Sequence, residues 1–216
     1  SLVIGMVFGT LLAWWASRLP PHLRFLRALP VLPIVMPAVA VVSGWAFLLS
    51  PRPGYLNALL RMLPWWSHLD SGPVEVYSIT WIVIITGFSL TAFVYLFVSS
   101  GMQNISAELI EAARVEGVVE WRIFWFIVLP LMRPAIAALS VLVFTFIWND
   151  FFWATVLTQG VDSQPITAGL SSLNGQWIAQ WHLVSAGSIL AALPPVLMFF
   201  LMQKHFIAGL TLGAVK

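Results

Sequence analysis

Six charged residues fall within fifteen positions of this sequence: Glu108, Glu111, Arg114, Glu116, Glu120 and Arg122. Side chains of these types can do acid–base chemistry, hold a metal or meet another polar surface. The first two uses need companions that the chain does not offer. The four histidines, His22, His68, His182 and His205, are scattered without metal-ligand spacing, and cysteine is absent. No nucleophile–base arrangement is visible. A phosphate-cradling loop needs Gly-Lys-Ser/Thr, but the two lysines are Lys204, after Gln203, and Lys216, after Val215. No catalytic residue, metal site or cofactor site is therefore assigned to this chain, and any nucleotide hydrolysis must belong to a partner.

A second chemical question sits at Trp148, Asn149 and Asp150. Asp150 is the one acid inside a predicted apolar span, where it costs about 2.5–3.5 kcal/mol to insert. Acids in such places face a bundle interior or a water-filled cavity. Arg133 lies roughly 25 Å away along the same predicted helix, too far to be the partner. Either this trio lines a pathway, with Asp150 open to an ion, or Asp150 holds a helix break near the outer end of its span.

The elements that must position these groups follow from composition. The 216 residues are 60% hydrophobic and only 8% charged, with a mean hydropathy of +0.94. Soluble domains carry about 25% charged residues, so this chain cannot cover a water-facing globule and belongs to the membrane class. Nothing resembles a basic nucleic-acid face. A membrane helix needs about 20 apolar residues. Five spans are predicted, at about 2–17, 28–50, 78–100, 127–158 and 183–203. Pro30, Pro33, Pro37, Pro130 and Pro134 bend or interrupt their helices, and Pro194-Pro195 removes two backbone donors in the last.

Alternating spans put eight of the ten Lys and Arg residues on one side, with Arg52 and Arg61 on the other. The basic side is then cytoplasmic. That orientation places Ser1 outside and predicts a further helix upstream. On the outer side, Tyr55 to Leu63 is expected as a short interfacial helix, with Trp65 and Trp66 at headgroup level. Trp14, Trp15, Trp121, Trp125, Trp177 and Trp181 also lie near span ends, where aromatic belts sit.

The charged cluster falls in a segment, 106–117, that reads as a short cytoplasmic helix. Ser106 is placed to cap it, Glu108 and Glu111 suit its N-terminal dipole, and Gly117 is placed to stop it. Ala113 and Gly117 lie four apart, with Ala112 alongside, so another surface could approach closely between flanking charges. The segment is either such a docking helix or a solvated loop helix that touches nothing; its residues alone do not separate the two.

The spacing Glu111-Ala112-Ala113, then Gly117, then Ile127 and Leu129-Pro130 resembles the EAA motif of ABC-importer permeases. "FIWNDFFWATVL" and "KHFIAGLTLGAVK" are similar to the carbohydrate branch of that family, the permeases of maltose-like and glycerol-phosphate importers. The resemblance implies an all-α, polytopic transmembrane bundle of the type I importer fold, one permease domain over 1–216. It implies that 106–117 is a coupling helix set in a cytoplasmic ATPase, with Glu111, Ala112, Ala113, Gly117, Leu129 and Pro130 as coupling positions. Thr211 and Gly213 become tail contacts to the same ATPase. It further implies a second permease, identical or homologous, two ATPase subunits using ATP and magnesium, an external solute-binding protein, surrounding lipid, and a bacterial or archaeal inner membrane. The expected solute is a sugar or sugar derivative. "LLSPRPGYLN" looks more like permeases for iron, thiamine or polyamines. A rival of another class is a secondary transporter using Asp150; a membrane-embedded enzyme is disfavoured because no catalytic set converges.

Overall fold

The structure is a computed structural model describing residues 1–150, 152–158, 164–173 and 180–212. Among the described residues every regular element is helical, as the composition predicts. In chain order these are α1 (Leu2–Ser17), a 3-10 segment (Pro21–Val31), α2 (Leu32–Val35), α3 (Ala38–Leu48), α4 (Tyr55–Arg61), α5 (Ile79–Met102), α6 (Ala107–Val115) and α7 (Glu120–Ile123). A π-helical turn (Phe124–Val128) leads into α8 (Leu129–Leu131), α9 (Arg133–Trp148), α10 (Phe152–Leu157), α11 (Ile166–Ser172) and α12 (Trp181–Leu212).

Two helices are long and apolar enough to cross a membrane unbroken: α5, and α12 over Trp181–Lys204. The expected spans at 28–50 and 127–158 are both interrupted where the sequence places their prolines. The first is a 3-10 segment, a short α2 and then α3, divided at Met36-Pro37. Prolines at 30, 33 and 37 each lack the N–H that an α-helix needs there. The second is bent by 71° between Glu120–Leu131 and Arg133–Trp148, where Pro130 and Pro134 flank the break. It ends at Trp148 rather than 158. Pro194-Pro195 behaves differently: α12 runs through both as helix and continues to Leu212, beyond the expected end of that span at 203. α1 has 16 residues, about 24 Å of helix.

The described residues form two compact units. One comprises Val35–Gly87 and Phe146–Pro194; the other comprises Leu2–Ile34, Phe88–Thr145 and the chain from Pro195. In the first, Val42, Leu49, Val74, Val76, Ile85 and Leu157 make a buried cluster, with Trp45, Trp81 and Trp153 against it. In the second, α1 lies very close to α5. A Cβ on Gly9 would stand 2.6 Å from the Val94 side chain and 3.0 Å from the Thr91 carbonyl oxygen, so a glycine is needed for that approach. Trp14, expected at the membrane interface, is buried beneath α1 against Phe124, ring centroids 5.0 Å apart. Trp15, Trp65, Trp121 and Trp181 are exposed, as interfacial residues would be. Trp177 lies outside the described residues.

Candidate coupling site

The charged segment folds as α6, nine residues long. Ser106 occupies the N-cap position but makes no side-chain capping bond. The C-terminal stop is complete. Gly117 has φ +78°, a left-handed value. Its N–H donates to the Arg114 carbonyl at 2.9 Å, and the Val118 N–H donates to the Ala113 carbonyl at 3.0 Å. This pair of bonds is a Schellman motif, which satisfies carbonyls that the helix end would otherwise orphan. Glycine suits the left-handed residue because it has no Cβ to clash.

Burial turns the helix round from the sequence expectation. Ala113 is only 7% exposed and packs inward, so its small size brings α6 close to its own chain. The outward face carries Glu108, Leu109, Ala112, Val115 and Glu116. Val115 is 89% exposed and Leu109 45%. These two apolar residues were missed by the sequence reading. Their spacing about Ala112, at i, i+3 and i+6, was the available signal. Glu111 and Arg114 line a cavity of about 460 Å³ behind the helix, together with Trp14, Ile110, Glu120 and Val128.

Charges fasten this loop to α1. Glu120 accepts from Arg18 Nη2 at 2.5 Å through one carboxylate oxygen and from Arg114 Nε at 2.6 Å through the other. Arg18 Nη2 also donates to the Glu120 carbonyl at 3.3 Å. The Arg18 guanidinium lies 3.7 Å from the centroid of the Trp14 ring, a cation–π contact. Partial burial pulls the Arg18 pKa below the ordinary guanidinium value; Glu120 opposes that pull and Arg114 adds to it.

Leu129 and Pro130 lie apart from α6, on the return helix, and both are half-buried. Pro130 has no N–H, and just before it the ladder widens: Leu129 N–H donates to the Phe124 carbonyl, five residues back. The wider turn stacks Ile123, Phe124, Val128 and Met132 as one buried column, each 3% exposed or less. These motif positions shape the loop's return rather than its outer face.

Comparison with known proteins decides the family. The model of the binding-protein-dependent transport system inner membrane component matches residues 1–211. The chain belongs to that family. It is therefore a multi-pass membrane protein, and the relatives of this permease chain are transport permeases. It is 36% identical over 159 residues to the melibiose/raffinose/stachyose import permease protein MelC of Bacillus subtilis, covering 73% of this chain and 57% of MelC. It is 38% identical over 137 residues to the lactose transport system permease protein LacG of Rhizobium radiobacter, covering 63% of this chain and 50% of LacG. The chain thus spans about half the length of these relatives. Its fold matches a bacterial ABC transporter involved in import of the acidic polysaccharide alginate, with TM-score 0.79 and 22% identity over 96% of this chain and 74% of that one. The type I importer permease fold expected from the sequence is the fold observed.

The permease places Trp148, Asn149 and Asp150 at the break between α9 and α10. Asp150 Oδ1 accepts from the Trp153 N–H at 3.2 Å, the geometry of a helix N-cap. The Asp150 carbonyl accepts from Thr167 Oγ1 at 3.1 Å, and Trp148 Nε1 donates to the Ala191 carbonyl at 2.8 Å. Among the described residues no group of His, Cys, Asp and Glu could hold a metal ion. Thr211 falls in the last turn of α12, and Gly213 lies outside the described residues.

Sequence reading missed Asn57 altogether. It is fully buried in α4. Its Nδ2 donates to the carbonyls of Leu49 at 3.0 Å, Ser50 at 3.0 Å and Val74 at 2.7 Å, while Oδ1 accepts from the Val74 N–H at 3.2 Å. The α4 helix was expected to lie on the interface by its apolar side, and Tyr55, Leu56 and Leu59 are indeed exposed. Its polar Asn57 points inward instead. Only the Pro-Gly break just before it hinted at a special turn.

Proposed function

We propose that this chain is the transmembrane subunit of an ATP-driven importer and forms half of a translocation pathway for a sugar or sugar derivative. The observation that carries the proposal is the outward face of α6. It is apolar at Leu109, Ala112 and Val115, rimmed by Glu108 and Glu116, and backed by Ala113 and the Arg18–Glu120–Arg114 contacts. A short helix held rigidly from behind, with aliphatic side chains exposed to the aqueous side, suits insertion into a cleft of a cytoplasmic ATPase. Ala112 and Gly117 act at that contact; Glu111, Ala113, Leu129 and Pro130 position it from behind; Thr211 and Gly213 add a second contact from the tail. ATP and magnesium belong to the ATPase pair. A second permease, a copy or a homologue, completes the pathway, and an external solute-binding protein delivers the solute. The membrane is the bacterial or archaeal inner membrane. The named relatives support a sugar over iron, thiamine or polyamines.

The ion-coupled alternative rests on Asp150. The Trp153 N–H bond gives Asp150 a helix-capping task that needs no bound ion. Uptake of labelled oligosaccharides into sealed vesicles holding the complete transporter tests both readings. We expect uptake to require ATP, to survive an ionophore, and to persist in Asp150→Asn, because an amide oxygen still caps a helix. Uptake that ignores ATP, needs an ion gradient and disappears in Asp150→Asn would establish the secondary transporter instead.

A further inference from the structure

Beside the C-terminus of α1 lies a cavity of about 580 Å³, bounded by α1, the 3-10 segment and α5. Its polar lining is Ser17, Arg27, Tyr95, Ser99, Ser100 and Gln103, and no lining residue is acidic. Arg27 is fixed in place. Its Nε and Nη2 donate to the carbonyls of Ala16 and Ser17, both at 2.9 Å, and its own carbonyl accepts from Tyr95 Oη at 2.8 Å. Ser99 Oγ is shielded from solvent and has no hydrogen-bond partner among the described residues. Buried hydroxyls are rarely left so, and this one borders a cavity.

The surroundings specify the occupant further. Ser99 to Gln103 is the C-terminal end of α5, where the helix presents partial negative charge. Arg27 supplies a full positive charge on the facing wall. The cavity therefore suits a zwitterion: an anion on Arg27 and a donor-bearing cation on the end of α5. Leu96 on its wall is exposed, as are Phe25 and Leu29 on the 3-10 segment and Phe97 on α5, so a ligand with apolar chains suits the surface of these elements. We infer that this cavity binds the headgroup of a phosphatidylethanolamine-type lipid, its phosphate on Arg27 and its ammonium on the last turn of α5, where it donates to Ser99 Oγ. The inference rests on the membrane-spanning reading of α5 and is independent of the ATPase contact.

Native mass spectrometry of the assembled transporter, incubated in turn with phosphatidylethanolamine, phosphatidylglycerol and phosphatidylcholine, is the test. We expect preferential retention of phosphatidylethanolamine. The choline headgroup cannot donate a hydrogen bond, and glycerol brings no cation. Arg27→Gln should weaken retention about tenfold or more, as loss of a charged hydrogen bond does. Arg27 also ties down α1, so Ser99→Leu supplies an independent arm: it fills the cavity, removes the orphan hydroxyl and should abolish the preference in a stably assembled protein. Equal retention of the three lipids, or unchanged preference in Ser99→Leu, overturns the inference. Displacement by free phosphoethanolamine as effective as by the lipid would assign the cavity to a soluble phosphate ester and overturn the lipid. Labelling of His22→Cys in this cysteine-free chain reports separately on orientation. Labelling only from outside would move the site to the other leaflet and sink the import topology, while leaving the lipid preference standing.

Discussion

Two loops of this permease are built on opposite plans. The α6 loop, from Ser106 to Ile123, is held by charges at its surface and leaves its aliphatic Leu109 and Val115 exposed. The α4 loop, from Leu49 to Tyr77, is held from inside by one neutral amide and exposes Tyr55, Leu59, Met62 and Trp65. The first fastening is wet: the side chains of Arg18, Glu120 and Arg114 are 29%, 41% and 48% exposed. The second is dry, with Asn57 at 0%. Water can replace lost partners at the first site and cannot at the second. The same kind of bond should therefore matter for stability in one loop and mostly for positioning in the other.

The largest expected effect tests the dry side. Asn57→Ala strands the buried carbonyls of Leu49 and Val74 and the Val74 N–H, each worth about 1–3 kcal/mol when left unpaired. We expect a loss of several kcal/mol, read as a collapse in thermal stability or in assembled yield. Asn57→Asp should be no better. A carboxylate has no donor for three carbonyls, and a protonated one has a single donor. An Asp variant as stable as wild type would show that Asn57 is not the fastening of this loop.

The two plans were not equally legible. Charge clusters stand out in an apolar sequence, so α6, its glycine stop and its motif could be read directly. The facing of α6 could not: Ala112 and Ala113 are the same residue type, and only tertiary packing buries one and exposes the other. Asn57 left no trace, because one Asn in a polar loop looks like any turn residue until its partners, 8 and 17 positions away, are known. Spans were legible where apolar length alone decided, as in α5. Proline effects were legible only in part: Pro30, Pro33 and Pro37 interrupt their segment as the sequence implies, whereas Pro194-Pro195 is carried within α12. For Asp150 the sequence left pathway lining and a helix break both open, and the Trp153 N–H that its carboxylate accepts became visible only in the structure.

The next effect is large for coupling and small for stability. Val115→Asp and Leu109→Asp change side chains that are 89% and 45% exposed. Surface changes of this kind usually stay within about 0.5 kcal/mol of stability. If α6 is the ATPase contact, a charge on its apolar centre should cost at least about 2 kcal/mol of association, as interface anchors do. That is roughly a thirtyfold loss. The measurement is substrate-stimulated ATPase activity of the purified complex, with thermal stability followed in parallel. Full stimulation in both variants would remove the outward face from the coupling role.

Gly117 gives a smaller effect and separates backbone from space. Its φ of +78° makes Gly117→Ala cost about 1–2 kcal/mol, and Gly117→Asn less, because Asn tolerates the left-handed region. Among the described residues nothing lies within 4 Å of a Cβ placed there. Gly117→Trp should therefore be no less stable than Gly117→Ala while losing far more coupling, since only a partner surface would meet the ring. Equal coupling in the Trp and Ala variants would mean that no surface approaches this glycine.

The smallest effect is the sharpest test of the wet fastening. Glu120→Gln removes the charge that joins Arg18 to Arg114 but keeps an acceptor of the same shape. Exposed ion pairs contribute about 0–1 kcal/mol and are screened by salt, so the stability loss should stay below about 1 kcal/mol. It should also shrink as ionic strength rises, because salt already weakens the wild-type pair. Asn57 variants, acting through dry bonds, should show no such salt dependence. The comparison can therefore be run in one experiment: thermal unfolding of Glu120→Gln and Asn57→Ala at low and high salt. A Glu120→Gln deficit that is both large and independent of salt would mean that the Arg18–Glu120–Arg114 contact is shielded in the assembled transporter. A docked subunit covering it would do that, and the two loops would then be held by the same dry physics.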